Sequence, residues 1–154
     1  MNLAPRSIPL LLVAAVSLAG ESLAAEPPVG YVKVLSGDVK VFDGDAVTRA
    51  AVGTPVSAGS TLKTGSGASV GLALRDNTLI SLGPDTEFSL REYAYEPGEG
   101  KLALVSRLAR GTLNYVSGVI AKLRPEAVAV ETPTGTLGVR GTQFVAKVNP
   151  EEAR

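Results

Sequence analysis

Cysteine and histidine are both absent from this chain of 154 residues. Without cysteine, no disulfide restricts the unfolded state, so packing and hydrogen bonds alone must hold the fold together. Without either residue, the chain cannot build a histidine-based catalytic triad, a thiol nucleophile or the usual zinc site. These absences predict a protein that is not an enzyme and that uses no metal or other cofactor.

An excess of charge of one sign is also missing. The 15 lysines and arginines balance the 15 aspartates and glutamates, so the formal net charge is zero. Proteins that bind nucleic acid or anionic membranes concentrate positive charge on their surface. The composition therefore gives no sign of a nucleic-acid partner.

Two further catalytic patterns are absent, the Gly-x-Ser-x-Gly elbow of hydrolases and the phosphate-binding loop. Asp43-Gly44-Asp45 lacks the third acid and the distal glutamate of a calcium loop, which favours a hairpin turn there. Neighbouring carboxylates leave a carboxylate-dependent hydrolase as a remote alternative, although solvated strand faces and turns explain them more simply. These acids are Glu87, Glu92, Glu96 and Glu99.

The N-terminal residues follow the plan of a secretory signal peptide. Arg6 precedes an apolar run, Ile8–Ala19, and the small residues Ser22 and Ala24 suit a cleavage site after Ala24. A cut after Ala25 is the alternative. The apolar run has about a dozen residues, whereas a membrane span needs roughly 20, which favours cleavage over a retained anchor. The mature chain is therefore expected to be periplasmic or secreted, with no insertion in the membrane.

Short alternating segments between glycine and proline turns occupy the rest of the chain. Seventeen glycines and ten prolines suit many short strands better than long helices. Val70, Leu72 and Leu74, for example, recur at the period of two that places side chains on one face of a strand. The predicted strands are 31–35, 39–42, 46–49, 69–74, 78–82, 87–90, 91–95, 101–107, 111–116, 128–131, 137–139 and 144–148, with an edge or a bend at 54–56.

One segment has helical rather than strand spacing. Its apolar residues recur at i, i+3, i+4 and i+7, which predicts a short helix within 117–123 that ends before Pro125, while a strand stays open as an alternative. The residues are Val116, Val119, Ile120 and Leu123. The fold class is therefore predicted as all-β, with mostly antiparallel strands in a sandwich, roll or solenoid-like domain and at most one short helix.

The predicted domain organisation places the β domain at 30–148. The signal peptide, 1–24, and an extended lead-in, 25–29, precede it, and a loose polar tail, 149–154, follows it. Arg110-Gly111-Thr112 recurs as Arg140-Gly141-Thr142, which is compatible with stacked corners of a roll or solenoid but does not establish a repeat.

The most specific pattern runs from Glu131 to Phe144, as Glu-Thr-Pro-Thr-Gly-Thr-Leu-Gly-Val-Arg-Gly-Thr-Gln-Phe. Together with Leu62-Lys63-Thr64-Gly65 and Arg110-Gly111-Thr112-Leu113, it makes the region 30–148 resemble the FecR-type domain family, named after the ferric-citrate regulator. The resemblance implies an all-β extracytoplasmic domain. In the regulator branch it also implies a role in passing a signal to a sigma-factor pathway.

The chain departs from that branch because only a short signal peptide precedes the domain, with no cytoplasmic arm to hold a sigma factor. Direct sigma-factor binding is therefore not expected. The predicted function is a non-catalytic binding or interaction module, with sensing as a candidate role, that acts through another envelope protein. A structural envelope protein without a sensing role is the alternative.

Residues of the signature are the candidate site residues, and a structural role is favoured over ligand binding. Proline after a strand residue is expected to end or bend the strand, as Pro133 follows Thr132 here. Glycine allows positive φ or close approach of the backbone, which is expected at Gly135, Gly138 and Gly141. Arg140 is interpreted as a clamp on carbonyls or a carboxylate across the last corner, with a ligand contact as the alternative. The set is Thr132, Pro133, Gly138, Arg140, Gly141, Thr142 and Phe144.

Tyr93 and Tyr95 lie two residues apart, on one face of a predicted strand. They could stack on a sugar or a peptide, but cross-strand packing is the favoured interpretation.

Overall fold

Twelve strands of one curled sheet make up most of the chain that the computed structural model describes, residues 27–153. The pairing is antiparallel everywhere except between one pair of strands, and the sheet curls into a half-barrel with a single short helix. The all-β prediction is confirmed. The predicted signal peptide and its cut after Ala24 lie outside the described residues.

The elements follow one another in short steps, as the glycine and proline turns predict. The strands are β1 Gly30–Ser36, β2 Val39–Asp43, β3 Ala46–Arg49, β4 Pro55–Val56, β5 Thr61–Thr64, β6 Ser69–Leu74, β7 Leu79–Leu82, β8 Glu87–Glu96, β9 Lys101–Val116, β10 Val128–Thr132, β11 Gly135–Gly138 and β12 Gln143–Val148. Helix α1 spans Val119–Leu123, inside the predicted segment 117–123. Short 3-10 turns form at Pro97–Glu99, Pro125–Ala127 and Pro150–Ala153, the last of them within the predicted tail.

The 16-residue strand β9 joins the two halves of the sheet. Its first part pairs with β8, which continues through β5 and β2 to β3, and its last part pairs with β7, which continues through β6 and β1 to β4. On its opposite side, β10 pairs in parallel with residues 104–107 and β12 pairs antiparallel with residues 111–116. Every other strand is therefore joined to the sheet through β9, either by direct pairing or through intervening strands.

The sequence-based division of this strand into 101–107 and 111–116 is wrong. Gly111 adopts φ 94°, which bends β9 without ending it, because glycine reaches positive φ without a steric penalty. The β8 ladder ends at Arg110 and the β7 ladder begins at Leu113. The two predicted segments 87–90 and 91–95 are likewise one strand, β8, with a bulge between Leu90 and Glu92.

The core fills the concave side of the half-barrel with the inward-facing residues of nearly every strand. Alternation in β9 and in the first half of β8 buries one face and leaves the other exposed or half-buried, as period two requires. In β6, Val70, Leu72 and Leu74 line the buried face, and Gly71 between them is buried as well. Helix α1 contributes Ile120 and Ala121 to the same cluster. The largest fully buried side chains include Tyr115, Phe88, Leu62, Ile80, Leu104, Leu108 and Leu113.

Four strands lie at edges, each paired on one side only among the described residues. Pro55 belongs to one of them, β4, which agrees with the predicted edge at 54–56. Strands β3 and β11 are the opposite ends of one half of the sheet, and every residue in both is exposed.

Candidate functional site

The signature begins with a tight hairpin between β10 and β11. Strand β10 ends at Thr132, directly before Pro133, and Thr132 pairs with Gly135 across the two-residue turn. The Thr132 hydroxyl donates a hydrogen bond to the Gly135 carbonyl oxygen at 2.8 Å. The proline thus ends the strand as the sequence predicts, and a side chain closes the turn.

The second half of the signature turns back toward β9 and is held there by Ser117. The Ser117 backbone N–H donates to the Thr142 carbonyl oxygen at 2.8 Å, and its hydroxyl donates to the Gly141 carbonyl oxygen at 2.7 Å. Val139 is buried and anchors the loop from within. Phe144 then enters β12 and stacks on Tyr115, with 5.0 Å between the ring centroids.

A cleft of about 700 Å³ lies beside this loop. Helix α1 and the following 3-10 turn form one wall through Ala121, Pro125 and Glu126. Strand β10 supplies Val128 and Ala129, and the loop 138–141 supplies the opposite wall. The lining combines apolar side chains and backbone with one cation, Arg140, and one anion, Glu126.

The clamp predicted for Arg140 finds no partner in the structure. Arg140 is exposed, and within residues 27–153 its side chain makes no hydrogen bond and no ion pair. Ser117 ties the corner instead, through two hydrogen bonds to the loop backbone. Sequence reasoning had no signal for Ser117, because a serine at the end of a strand is common and its partners lie 24 residues or more away.

The glycines of the signature differ in what they do. Gly141 adopts φ 125°, as predicted, which only glycine tolerates well. Gly135 and Gly138 have no positive φ, and a Cβ atom added to either would have nothing within 4 Å. The expectation of positive φ or close backbone approach is therefore not met at these two positions, and both leave the surface of β11 open.

The cleft wall formed by α1 is positioned by a buried carboxylate that the sequence did not single out. Asp76, in the turn between β6 and β7, is fully buried. Its Oδ2 accepts from the Thr78 hydroxyl at 2.7 Å and from the Ile120 backbone N–H at 3.2 Å. Its carbonyl oxygen accepts from the Val119 N–H at 2.7 Å. The turn thus satisfies backbone donors at the start of α1.

Tyr93 connects strand β8 to the same carboxylate. Its hydroxyl donates to Asp76 Oδ1 at 3.3 Å and accepts from the Asp76 backbone N–H at 3.0 Å. Burial, and then the negative charge of Asp76, raise the pKa of Tyr93 well above its ordinary value of 10.0. Tyr95 packs against the core beside it. Both tyrosines therefore pack within the sheet, as the favoured interpretation predicted.

The family model for the FecR protein matches residues 60–154 of this chain. The chain belongs to the FecR family. The match covers more than half of the chain and contains the signature, the cleft and all strands from β5 onward, whereas β1–β4 precede it. No curated protein and no solved structure matches the chain.

The FecR family consists of regulatory and sensory proteins of the envelope, and this is compatible with a non-catalytic sensory module. The family is not known for enzymes. No helix within the described residues is long and apolar enough to cross a membrane.

Three of the four acids considered for a hydrolase form ion pairs with lysine or arginine in this FecR-family chain. Glu87 is neutralised by Lys63 at 3.6 Å and Arg110 at 3.9 Å. Glu96 and Glu99 share Lys101, at 3.5 Å and 3.0 Å. Across residues 27–153, no group of three acids comes together in a way that could hold a metal ion.

The segment Asp43-Gly44-Asp45 forms the turn of a hairpin between β2 and β3, as the favoured interpretation predicted. Asp43 pairs with Ala46, and Gly44 has φ 59°. Asp43 also accepts a short hydrogen bond from the Ser60 hydroxyl. One of its carboxylate oxygens is thus engaged within the protein.

Proposed function

We propose that this chain is a non-catalytic extracytoplasmic binding module with a sensory role, and that it acts through a partner protein of the envelope. The cleft beside the signature loop is the proposed contact site. Membership of the FecR family supports the sensory role, and the pattern of the N-terminal residues supports export to the periplasm or beyond.

The proposal rests on the surroundings of the Arg140 side chain. Its guanidinium group has no partner among residues 27–153 and lines a cleft whose walls are partly apolar. A carboxylate or carbonyl group of a partner would gain a charge-assisted, two-pronged hydrogen bond there, while apolar groups of the same partner pack on Pro125 and Ala129. Removal of Arg140 should therefore weaken binding without weakening the fold.

The test compares Arg140→Ala with Lys147→Ala, an exposed cation on β12 that serves as a matched control. Each variant is used to isolate partners from envelope extract, and each is also unfolded thermally. We expect Arg140→Ala to reduce the recovery of a specific partner by at least about tenfold, with an unchanged melting temperature.

Two results would count against this function. Equal recovery of the same proteins by both variants would remove the cleft from the interaction. Retention on peptidoglycan, or within a stoichiometric envelope complex that ignores Arg140, would favour the structural alternative.

A further inference from the structure

Strand β3 leaves one of its edges open at the end of the sheet far from the signature cleft. Among the described residues it pairs with β2 alone. All four of its residues are exposed, and the exposed fraction of Val47 is 56%. An edge of this kind is a template for another strand.

The backbone groups that face the open side can be assigned from the β2–β3 ladder. The Ala50 N–H donates to the Val39 carbonyl oxygen at 2.8 Å, so this pair is hydrogen-bonded. Hydrogen-bonded pairs alternate along an antiparallel ladder, so Thr48 and Ala46 also direct their groups toward β2. Arg49 and Val47, at the alternate positions, direct theirs away from the sheet, and Asp45 lies in the hairpin turn that precedes the strand.

These three residues are complementary to themselves. If β3 meets a second β3 in antiparallel orientation with the two-fold axis at Val47, then Val47 faces its own copy and Arg49 faces Asp45 of the other chain. By symmetry the Arg–Asp pair forms twice. Opposite residues of an antiparallel pair lie on the same face, so the two valines contact each other and the charges can meet.

Other registers do not place the two valines opposite each other together with two Arg49–Asp45 pairs. An axis at Arg49 places two arginines opposite each other, and an axis at Asp45 does the same with two carboxylates, both of which are destabilising. An axis at Thr48 places Arg49 opposite Val47 and Asp45 opposite Ala51, and an axis at Ala46 places Asp45 opposite Val47 and Arg49 opposite Asp43. Among these five registers, only the one centred on Val47 places both charges opposite an opposite charge and the two valines opposite each other.

We infer that the occupant of the β3 edge is a second copy of this chain, in the antiparallel register centred on Val47. The resulting dimer joins two curled sheets into one and leaves both signature cleft regions free, because β11 lies at the other end of the half that begins with β3. A four-residue edge buries little area, so the dimer is weak and depends on concentration. This inference is independent of the proposed function.

The first test is sedimentation equilibrium of the purified protein from about 10 µM to about 1 mM, a range suited to weak interfaces. We expect a monomer–dimer equilibrium. Arg49→Asp and Asp45→Arg should each weaken the dimer by at least about tenfold, because like charges then face each other, and the double variant should restore it. A monomer throughout this range would overturn the inference.

The control is Lys147→Asp, the same kind of charge change on another edge strand, β12. It should leave the dimer intact. Arg49 also contacts Asp38 at 3.6 Å, but its side chain is 79% exposed and such pairs contribute little, so thermal unfolding should show the variants to be folded. Loss of the dimer in Lys147→Asp but not in Arg49→Asp would place the interface on β12 and refute the proposed one.

The second test is amide hydrogen exchange at low and high protein concentration, which does not depend on any variant. The amides of Val47 and Arg49 should become protected as the dimer forms, whereas those of Ala46 and Thr48, already bonded to β2, should change little. A dimer that protects none of the outward-facing amides would refute pairing through β3.

Discussion

Gly111 shows how one residue determines the course of the longest strand. Its φ of 94° is in the region that side chains avoid, and an added Cβ would overlap Thr86, with 2.6 Å to the Cβ atom of that residue. The Thr86 hydroxyl in turn accepts from the Thr112 backbone N–H at 3.0 Å. The bend in β9 therefore needs both the conformation and the small size of glycine.

Gly111→Ala should lower the free energy of unfolding by about 2–4 kcal/mol, because the variant combines backbone strain with overpacking. Urea denaturation measures the change. Gly98→Ala is the control, since Gly98 has no positive φ and open space around it, and it should change stability by no more than about 0.5 kcal/mol. Equal effects at both positions would contradict the role assigned to Gly111.

Tyr115 gives the protein a dependence on alkaline pH. Its side chain is fully buried, its hydroxyl has no hydrogen-bond partner within the described chain, and burial raises its pKa from 10.0 to about 12. Because the folded-state pKa lies above the unfolded one, the folded state holds its proton longer. Stability is thus full below about pH 10 and is lost as the pH rises toward about 12.

Tyr115→Phe should remove up to about 3 kcal/mol of this alkaline loss and cost little at pH 7, since the hydroxyl has no hydrogen-bond partner within the described chain. The measurement is the free energy of unfolding at a series of pH values from neutral to strongly alkaline. Tyr93, whose pKa is also raised, continues to titrate in both proteins. If the two pH profiles coincided, Tyr115 would not be the cause.

At the scale of the elements, Asp76 joins a turn, a strand and the helix. Thr78 of the same turn and Tyr93 of β8 bind its carboxylate, and the start of α1 binds both its side chain and its carbonyl oxygen. A buried carboxylate is tolerated only when such donors surround it. Since α1 forms a wall of the cleft, this network also determines the shape of the candidate site.

Asp76→Asn should destabilise the fold by about 2–4 kcal/mol, because an amide group brings donor hydrogens toward groups that already donate. Glu92→Gln, the same chemical change at an exposed position, is the control. Urea denaturation gives the total effect, and faster hydrogen exchange at the Ile120 amide would locate it. An unchanged Ile120 amide would show that α1 does not depend on Asp76.

Local patterns predicted most of the strands, because alternating burial leaves its period in the sequence. Val70, Leu72 and Leu74 of β6 are the clearest case, and all three are buried. The spacing of α1 was equally local. The sequence did not predict the continuity of β9, because a glycine such as Gly111 in a strand pattern is usually read as a turn or a strand end.

The remaining features depend on contacts between distant parts of the chain. Asp76 reaches Ile120 across 44 residues, and the parallel pairing of β10 with β9 has no local signature. The cleft collects residues from α1, β10 and the loop after β11, so the signature pointed to its region but not to its shape. The sequence predicted that Arg140 holds the last corner, because a guanidinium group can bind several acceptors. In the structure the shorter side chain of Ser117 holds it, through a hydrogen bond to the Gly141 carbonyl oxygen.

The whole molecule relies on packing rather than on charge. The ion pairs within the described residues all involve side chains that are at least 31% exposed, and such pairs contribute little to stability. A single core cluster reaches from Val29 to Val148 instead.

The free energy of unfolding should therefore change by less than about 1 kcal/mol between about 0.05 M and about 1 M potassium chloride, because salt screens only the exposed charges. Urea titrations at the two salt concentrations provide the measurement. A loss of stability well beyond this limit would reveal an electrostatic contribution that the ion pairs do not account for.

The joining strand β9 also determines where the chain can be shortened. The family match starts at Ser60, but removal of the preceding residues would take β2 away from β5 and β1 away from β6, in the middle of both ladders. Each half of the sheet would then present a bare edge while β9 still held the halves together, which favours aggregation. A shortened version that keeps its ladders complete has to begin before Gly30.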